Sequence, residues 1–183
     1  MKGLIVWMSL LVASLAPSLG CGGAAYRVEG AQQVYLLTNL HPNHRRVISS
    51  VNHTAPVRGS VLPICTPVQL ELVRGREIRF IANGMRYRYV MHRSARSTIE
   101  QHVPRYFGGQ CPNVGAMSPE DQAGIQNGQV YQGMTKQGVI MAIGYPPEHT
   151  TPSLENDVWR YWSQGARSFE VYFTNGVVTG MRQ

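Results

Sequence analysis

The chain has 183 residues, 43% of them hydrophobic, and its 17 Lys and Arg against 10 Asp and Glu give a net charge of +7. This composition excludes a highly charged disordered chain and predicts a folded body of one ordinary domain or two small ones. The excess of positive charge favours anionic neighbours, such as acidic lipid headgroups, anionic polysaccharide or an acidic protein face.

The first twenty residues have the organisation of an export signal. Lys2 provides a short positive region, and the apolar segment 4–16 follows it. This segment is shorter than the roughly 20 residues that a membrane-spanning helix needs, so residues 1–20 are predicted to be a signal peptide. An exported chain without a run of Lys and Arg is not expected to bind nucleic acid.

Cys21 stands directly after this signal. The segment Ser18-Leu19-Gly20-Cys21 resembles a bacterial lipobox, in which the cysteine becomes the first residue of the mature chain and carries acyl groups. Two alternatives stay open: cleavage of the same bond by an ordinary signal peptidase, which yields a soluble secreted or periplasmic protein, and a retained anchor helix. Lipidation of Cys21 is the favoured interpretation, with residues 21–31 as a flexible tether.

The other two cysteines are predicted to form a disulfide. With Cys21 assigned to acylation, Cys65 and Cys111 remain as a pair in an oxidising compartment. Neither lies in a Cys-x-x-Cys motif or beside a histidine, which argues against the alternative of a catalytic or metal-bound thiol.

Residues 32–112 are dominated by β-strand signals. Along 67–73 apolar and polar residues alternate, as expected for a strand with one buried face. The pairs at 74–75 (Arg-Gly) and 83–84 (Asn-Gly) stand where hairpin turns are expected, because Asn-Gly tolerates the positive φ angles of a type I′ turn. Five short strands joined by tight turns predict a small barrel or a curled sheet.

The stretch 33–92 resembles an SH3-like barrel of the kind found in bacterial envelope proteins. Its opening strand, the alternating segment and two hairpins carry this resemblance, which implies a small β module. A short helix is predicted to follow, since Ile99, Val103 and Phe107 recur every fourth residue. Pro104 is expected to kink this helix, and the glycines that come after it to end it.

Residues 113–183 predict two helices followed by three antiparallel strands. Ser118 before Pro119 marks the start of the first helix, and Thr135 marks the start of the second. Gly144 is expected to end the second helix in a left-handed conformation. The segments DVWRYW, SFEVYF and VVTGMRQ alternate as strands do, and the Asn-Gly pair before the last of them predicts a hairpin.

These pieces resemble the SmpA/OmlA family of BamE-like outer-membrane lipoproteins. The matching segments within residues 115–183 are GMTKQGV with IGYP, VWRY, and FEVYFTNGVV. The resemblance implies an α+β fold of two helices and three strands, and a part in outer-membrane protein assembly or envelope maintenance. Gln137-Gly138 depart from the family, whose members often carry acidic residues there, and the family's partner-binding residues cannot be placed on this chain.

Two predicted strands carry the candidate binding surface. Arg86 and Arg88 alternate with tyrosines, so one strand face is cationic and the other aromatic. The plain interpretation places the tyrosines in the core and the arginines in water, whereas the functional one makes the cationic face a ligand or partner surface. Arg160 and Trp162 share a face of a later strand and complete the candidate set, with Trp162 as the expected exposed anchor.

Catalytic and metal-binding motifs do not stand out in the sequence. His41 and His44 have a ligand-like spacing, but the Pro and Asn between them predict a turn. The other histidines are scattered, and neither a nucleophile elbow nor a phosphate-binding glycine loop accompanies them. The sequence therefore predicts no enzyme, no metal and no cofactor.

The sequence predicts an α+β protein with an SH3-like module at 32–112 and a BamE-like module at 113–183. Its expected function is that of a lipid-anchored bacterial envelope protein on the periplasmic face of the outer membrane, acting as an adaptor or scaffold for an envelope protein. The alternative is a module that binds the cell wall, including peptidoglycan, or an anionic glycan or lipid. An envelope enzyme or enzyme inhibitor is a third class.

Overall fold

The computed structural model describes residues 26–51, 53, 61–163 and 167–183. The predicted signal peptide, Cys21 and the first part of the predicted tether lie outside the described residues. Within the described ranges the protein is a mixed α+β fold with three α-helices and nine strands in two sheets. The strands are β1 Val34–Leu36, β2 Val47–Ser49, β3 Pro67–Arg74, β4 Glu77–Ala82, β5 Met85–Val90, β6 Phe107–Gly108, β7 Val158–Trp162, β8 Ser168–Thr174 and β9 Val177–Arg182, and the helices are α1 Ile99–Tyr106, α2 Pro119–Asn127 and α3 Lys136–Ile143.

Six strands form the first sheet, which curls into half a barrel in the order β2-β5-β4-β3-β1-β6. The β3–β4–β5 meander in its centre follows the predicted alternation and the predicted hairpin turns. At the second turn Asn83 and Gly84 have φ angles of 50° and 72°, as a type I′ turn requires. The parallel pairing of β2 with β5 and the addition of β6 were not predicted, since both join segments far apart in the chain.

Alternation along these strands buries one face of the first sheet. Its core residues are all less than 9% exposed, and they come from the sheet, from α1 and from the connecting segments: Leu36, Leu40, Ile48, Leu62, Val68, Leu70, Ile78, Phe80, Ala82, Tyr87, Tyr89, Met91, Ile99, Val103, Tyr106 and Phe107. The predicted helix packs here as α1. Phe107 begins β6 instead of ending the helix, and its ring packs edge-on against Phe80 at 5.2 Å.

The structure joins Cys65 to Cys111 in a disulfide, with Cα atoms 5.0 Å apart. Cys65 lies shortly before β3, which begins at Pro67, and Cys111 lies shortly after β6, which ends at Gly108. The bond therefore ties the chain after α1 back to the sheet over a sequence separation of 46 residues.

The predicted caps of α2 and α3 are confirmed. The Ser118 hydroxyl accepts a hydrogen bond from the Asp121 N–H, and the Thr135 hydroxyl accepts one from the Gly138 N–H. Gly144 ends α3 with the predicted positive φ of 91°, but its ψ of 178° is extended, so the residue is not in the left-handed helical conformation.

The second sheet is an antiparallel meander in the order β7-β8-β9. Its inner face meets α2 and α3 in a second core, whose members are Ile125, Val130, Met134, Val139, Ile140, Ala142, Ile143, Trp159, Tyr161, Val171, Phe173 and Val178. Trp159 and Tyr161 are both fully buried, as the alternation of β7 predicts. The turn between β8 and β9 has φ angles of 51° at Asn175 and 78° at Gly176, which matches the predicted hairpin.

Buried polar groups join the two parts of the protein at what we call the junction, which is formed around Asn39 and His53 and has the partly exposed Glu148 at its rim. Asn39 is 2% exposed. Its amide donates to the carbonyl oxygens of Ile125 (2.6 Å) and Ala142 (3.1 Å), and its side-chain oxygen accepts from the Ile64 N–H at 2.8 Å. One side chain beside the first sheet therefore satisfies backbone groups at the ends of both α2 and α3.

Candidate functional site

The arginines of β5 lie on the outward face of the first sheet. Arg86 and Arg88 are exposed, while Tyr87 and Tyr89 between them point into the core and are 8% and 1% exposed. Burial raises the pKa of Tyr89 well above its usual value, which keeps this hydroxyl protonated and able to hydrogen-bond His102 Nδ1 at 2.8 Å. The strand thus has the aromatic-in, arginine-out arrangement that its alternation predicts.

Two carboxylates accompany these arginines on what we call the first arginine face, which comprises Arg79, Arg86, Arg88, Glu71 and Glu77. Arg86 Nε donates to Glu71 Oε1 at 3.1 Å, and Arg88 Nε donates to Glu77 Oε1 at 3.1 Å. The hydrogen bond from Arg79 lowers the pKa of Glu77, despite the opposing effect of partial burial, so Glu77 stays ionised. Exposed ion pairs of this kind add little stability. Because three arginines face two carboxylates, the face keeps a small positive surplus.

The second arginine face lies on the outward side of β7, β8 and β9 and comprises Arg160, Glu170, Tyr172 and Arg182. Glu170 accepts hydrogen bonds from the Tyr172 hydroxyl (2.5 Å), from Arg160 Nη2 (2.5 Å) and from Arg182 Nη2 (2.7 Å). The Tyr172 and Arg160 hydrogen bonds lower the pKa of Glu170 to about 2. A single ionised carboxylate therefore holds two guanidinium groups, whose side chains are 50% and 72% exposed.

Trp162 shares the outward side of β7 with Arg160 but is only partly exposed. Its ring stacks over His149 with centroids 6.4 Å apart and an interplanar angle of 14°. Its indole Nε1 is buried and has no hydrogen-bond partner among the described residues. Trp162 therefore belongs to the junction, and no described hydrogen bond, ion pair or ring contact links Arg86 or Arg88 to Arg160 or Trp162.

The junction also gathers histidines that the sequence shows as scattered. His53 Nε2–H donates to the Tyr145 carbonyl oxygen at 2.7 Å, and His41 Nε2–H donates to the Ala142 carbonyl oxygen at 3.3 Å, so both rings contact the C-terminal end of α3. The Nδ1 atom of each ring is buried and has no described partner. Burial lowers the pKa of His53 to about 4 and also lowers the pKa of His41, so both rings are neutral near pH 7.

A second group of polar side chains lies at the rim of the junction. The Ser94 hydroxyl lies 2.7 Å from His92 Nδ1 and 3.0 Å from His149 Nδ1. Glu148 accepts hydrogen bonds from the Ser97 hydroxyl and from Arg105 Nη1, both at 2.6 Å, and from the Arg96 and Ser97 N–H groups. Partial burial acts to raise the pKa of Glu148, but the hydrogen bonds from Ser97 and Arg105 outweigh it and hold the pKa at about 2.

His41 and His44 are not paired in the way that their spacing suggests. His41 is buried in the junction, whereas His44 is exposed and lies in the turn that the hydrogen bond from the Arg46 N–H to the Asn43 carbonyl oxygen closes. Within the described ranges, no three His, Cys, Asp or Glu side chains come together as a metal-binding group. None of the described helices has the length and apolar character needed to cross a bilayer.

The chain was compared with protein-family models, with curated proteins and with solved structures, and nothing matched in any of the three comparisons.

Proposed function

We propose that this chain is an exported bacterial envelope protein, lipid-anchored through Cys21 on the periplasmic face of the outer membrane, that acts as a non-enzymatic adaptor or scaffold. The observation that carries the proposal is the pair of arginine faces. Each lies on the outward side of a sheet whose inner side packs against a hydrophobic core, and each holds more guanidinium groups than carboxylates. Such faces suit an acidic partner surface.

The second arginine face keeps donors free for a partner. A guanidinium group has five N–H donors. Arg160 directs Nε and Nη2 to Glu170, and Arg182 directs Nη2 to the same carboxylate. The remaining donors are available to a carboxylate or phosphate that approaches from solvent, and the ionised Glu170 holds the two guanidinium groups in place.

We also propose that the two parts of the protein are an SH3-like module and a BamE-like module. Support for the second comes from its element order, in which α2 and α3 precede the β7–β9 meander. Support for the first comes from the β3–β4–β5 meander and the curl of its sheet. A BamE-like module would connect the adaptor function to outer-membrane protein assembly or envelope maintenance.

Crosslinking in intact cells tests the adaptor function. We compare the wild-type chain with Arg160→Gln/Arg182→Gln and with Arg86→Gln/Arg88→Gln, and the matched control is Arg45→Gln/Arg93→Gln, which alters two exposed arginines outside both faces. A specific envelope protein should be captured by the wild type and the control, and much less by one of the face variants. Equal capture by all variants, or capture of no envelope protein, would overturn the proposal.

Two further measurements separate the parts of this proposal. Mass spectrometry of the native N-terminus should find an acylated Cys21, and an intact Met1 would rule out the lipid anchor. Sedimentation with isolated cell-wall sacculi tests the alternative function, because a glycan-binding module should remain with the sacculi at high salt, whereas purely ionic adsorption is screened.

A further inference from the structure

Four of the six residues of β9, Thr179–Arg182, have no backbone partner on the outer edge among the described residues. The start of the strand is covered: the Gly133 N–H donates to the Val178 carbonyl oxygen at 2.9 Å, and the Val178 N–H donates to the Met134 carbonyl oxygen at 2.8 Å. From Thr179 to Arg182 no described backbone group bonds to this edge, and only β8 pairs with the strand on its other side. Backbone groups on an open sheet edge are a template for an added strand.

A pocket opens beside this uncovered edge. Its volume is about 640 Å³, which lies within the range typical of ligand sites. Val130, Ile143, Phe169 and Met181 form its apolar wall, and Arg167 also lines it. The pocket therefore borders the second core near the C-terminal ends of α2 and α3.

Met181 connects the edge with the pocket. It pairs with Val171, which is fully buried, so the Met181 side chain lies on the core side of the sheet. Nevertheless it is 51% exposed, the highest value among the large apolar side chains of the described residues. A strand added next to β9 would extend the inner face of the sheet and place alternate side chains over Met181 and into the pocket.

The opposite side of the same strand is cationic. Arg182, the last residue of β9, belongs to the second arginine face. It contacts Glu170, and Glu170 also accepts from Arg160. Arg182 uses only its Nη2 for Glu170. An acidic side chain on the outward side of an added strand would accept hydrogen bonds from the other donors of the Arg182 guanidinium group.

We infer that the β9 edge at Thr179–Arg182 binds an extended acidic segment of a partner protein as an added strand. This inference rests on the proposed adaptor function and names the chemistry of its partner. The open backbone edge selects an extended chain, the pocket selects apolar side chains on its inner side, and Arg182 selects acidic ones on its outer side. A second copy of this chain fits less well, because β9 contains no acidic residue and would bring another arginine.

The recognised sequence should alternate, since neighbouring residues of a strand point to opposite faces. The probe is a fluorescent seven-residue peptide, acetyl-Glu-Val-Glu-Phe-Glu-Val-Glu-amide. Its control has the same composition with the alternation broken, acetyl-Glu-Glu-Val-Phe-Val-Glu-Glu-amide. Fluorescence anisotropy with the purified full chain should show at least tenfold tighter binding of the alternating peptide, and hydrogen exchange should slow at residues 179–182.

Variants test the two faces of the strand separately. Arg182→Gln and Met181→Ser should each weaken peptide binding by about fivefold or more. Met85→Ser, which changes another exposed methionine on the first sheet, is the matched control and should bind as the wild type does. Thermal unfolding of each variant verifies that it is folded.

Several results would overturn the inference. These are equal binding of the two peptides, unchanged exchange at 179–182, or the same affinity for Arg182→Gln, Met181→Ser and Met85→Ser. A chain that forms dimers through β9 without peptide would assign the edge to a second copy instead. These measurements use the purified chain and do not depend on Cys21 or on where the protein lies in the cell. Failure of peptide binding at β9 would therefore leave the proposed envelope function untouched, and failure of the crosslinking test would leave peptide binding untouched.

Discussion

Asp121 on α2 and Gly138 on α3 are in direct contact. The Asp121 side chain is almost fully buried, and its carboxylate accepts hydrogen bonds from the Thr135 N–H (2.8 Å) and hydroxyl (3.0 Å). A Cβ atom at position 138 would overlap Asp121 Oδ1. Gly138 therefore makes room for a buried carboxylate that holds the N-terminal end of α3, where the helix dipole favours negative charge.

This contact predicts that Gly138→Ala destabilises the protein. Helix propensity alone would make alanine more stable than glycine by up to about 1 kcal/mol. Because the methyl group would displace Asp121 or separate α2 from α3, we expect instead a loss of about 2 kcal/mol in the free energy of unfolding. Urea unfolding measures this loss, and Gln137→Ala on the exposed neighbour should change stability by less than about 0.5 kcal/mol.

A double-mutant cycle identifies the cause. If the clash with Asp121 is responsible, Gly138→Ala should cost clearly less in an Asp121→Ala background than in the wild type. An equal or larger cost in that background would show that another neighbour makes the glycine necessary.

Asn39→Ala is expected to be among the most destabilising single changes at the junction. It removes the shorter of the hydrogen bonds to the Ile125 and Ala142 carbonyls, which keep only the 3.3 Å contacts from the Gly128 N–H and from His41, and it removes the acceptor of the Ile64 N–H. We therefore expect a loss of about 2–4 kcal/mol in the free energy of unfolding, measured with urea. Asn39→Asp should be similarly damaging, since a carboxylate cannot donate to the two carbonyls. Asn127→Ala removes an exposed side-chain hydrogen bond and is the control, and a comparable loss there would contradict the buried role of Asn39.

Stability should fall as the pH drops from about 6.5 to about 4. The pKa of His53 is about 4 in the folded protein, while an unfolded histidine has a pKa near 6.5. Over this range the unfolded chain binds a proton at the histidine and the folded chain does not. Each such histidine therefore lowers the free energy of unfolding by up to about 1.4 kcal/mol for each pH unit. His102, whose pKa is also about 4 because of burial, adds to the effect.

Unfolding measured at pH 7.5, 6.5, 5.5 and 4.5 tests this dependence. The free energy of unfolding should be nearly constant between the first two values and decrease between the last two. His53→Gln retains a side-chain donor for the Tyr145 carbonyl but cannot titrate, so it should show a shallower decrease. A decrease of the same slope in His53→Gln would assign the acid sensitivity to other groups.

Removal of the disulfide should lower stability without changing the fold. The bond closes a loop between residues 46 apart in sequence, and loop-closure entropy gives a stabilisation of about 4 kcal/mol. Cys65→Ser/Cys111→Ser should therefore unfold at lower urea concentration than the oxidised wild type and should match the wild type treated with dithiothreitol. No effect of dithiothreitol on wild-type unfolding would show that the bond does not contribute in solution.

Local patterns in the sequence determined most of the elements. Ser118, Thr135 and the two Asn-Gly turns carry their signals within a few residues, because caps and type I′ turns depend on the side chains at those positions. The alternation of β5 also predicted that Arg86 and Arg88 point outward, because successive side chains of a strand face opposite sides.

Only the tertiary structure brings together residues that are distant in the chain. His53 and Tyr145 are 92 positions apart in the sequence, and Asn39 and Ala142 are 103 positions apart. Hydrophobic periodicity within a short segment therefore cannot predict their hydrogen bonds. The same holds for the shared carboxylate Glu170 and for the partial burial of Trp162 against His149. Backbone conformation and the alternation of apolar and polar residues are local properties, so the sequence predicts them directly. The junction and the open edge of β9 depend on how helices and strands pack against one another, and this packing depends on the whole chain.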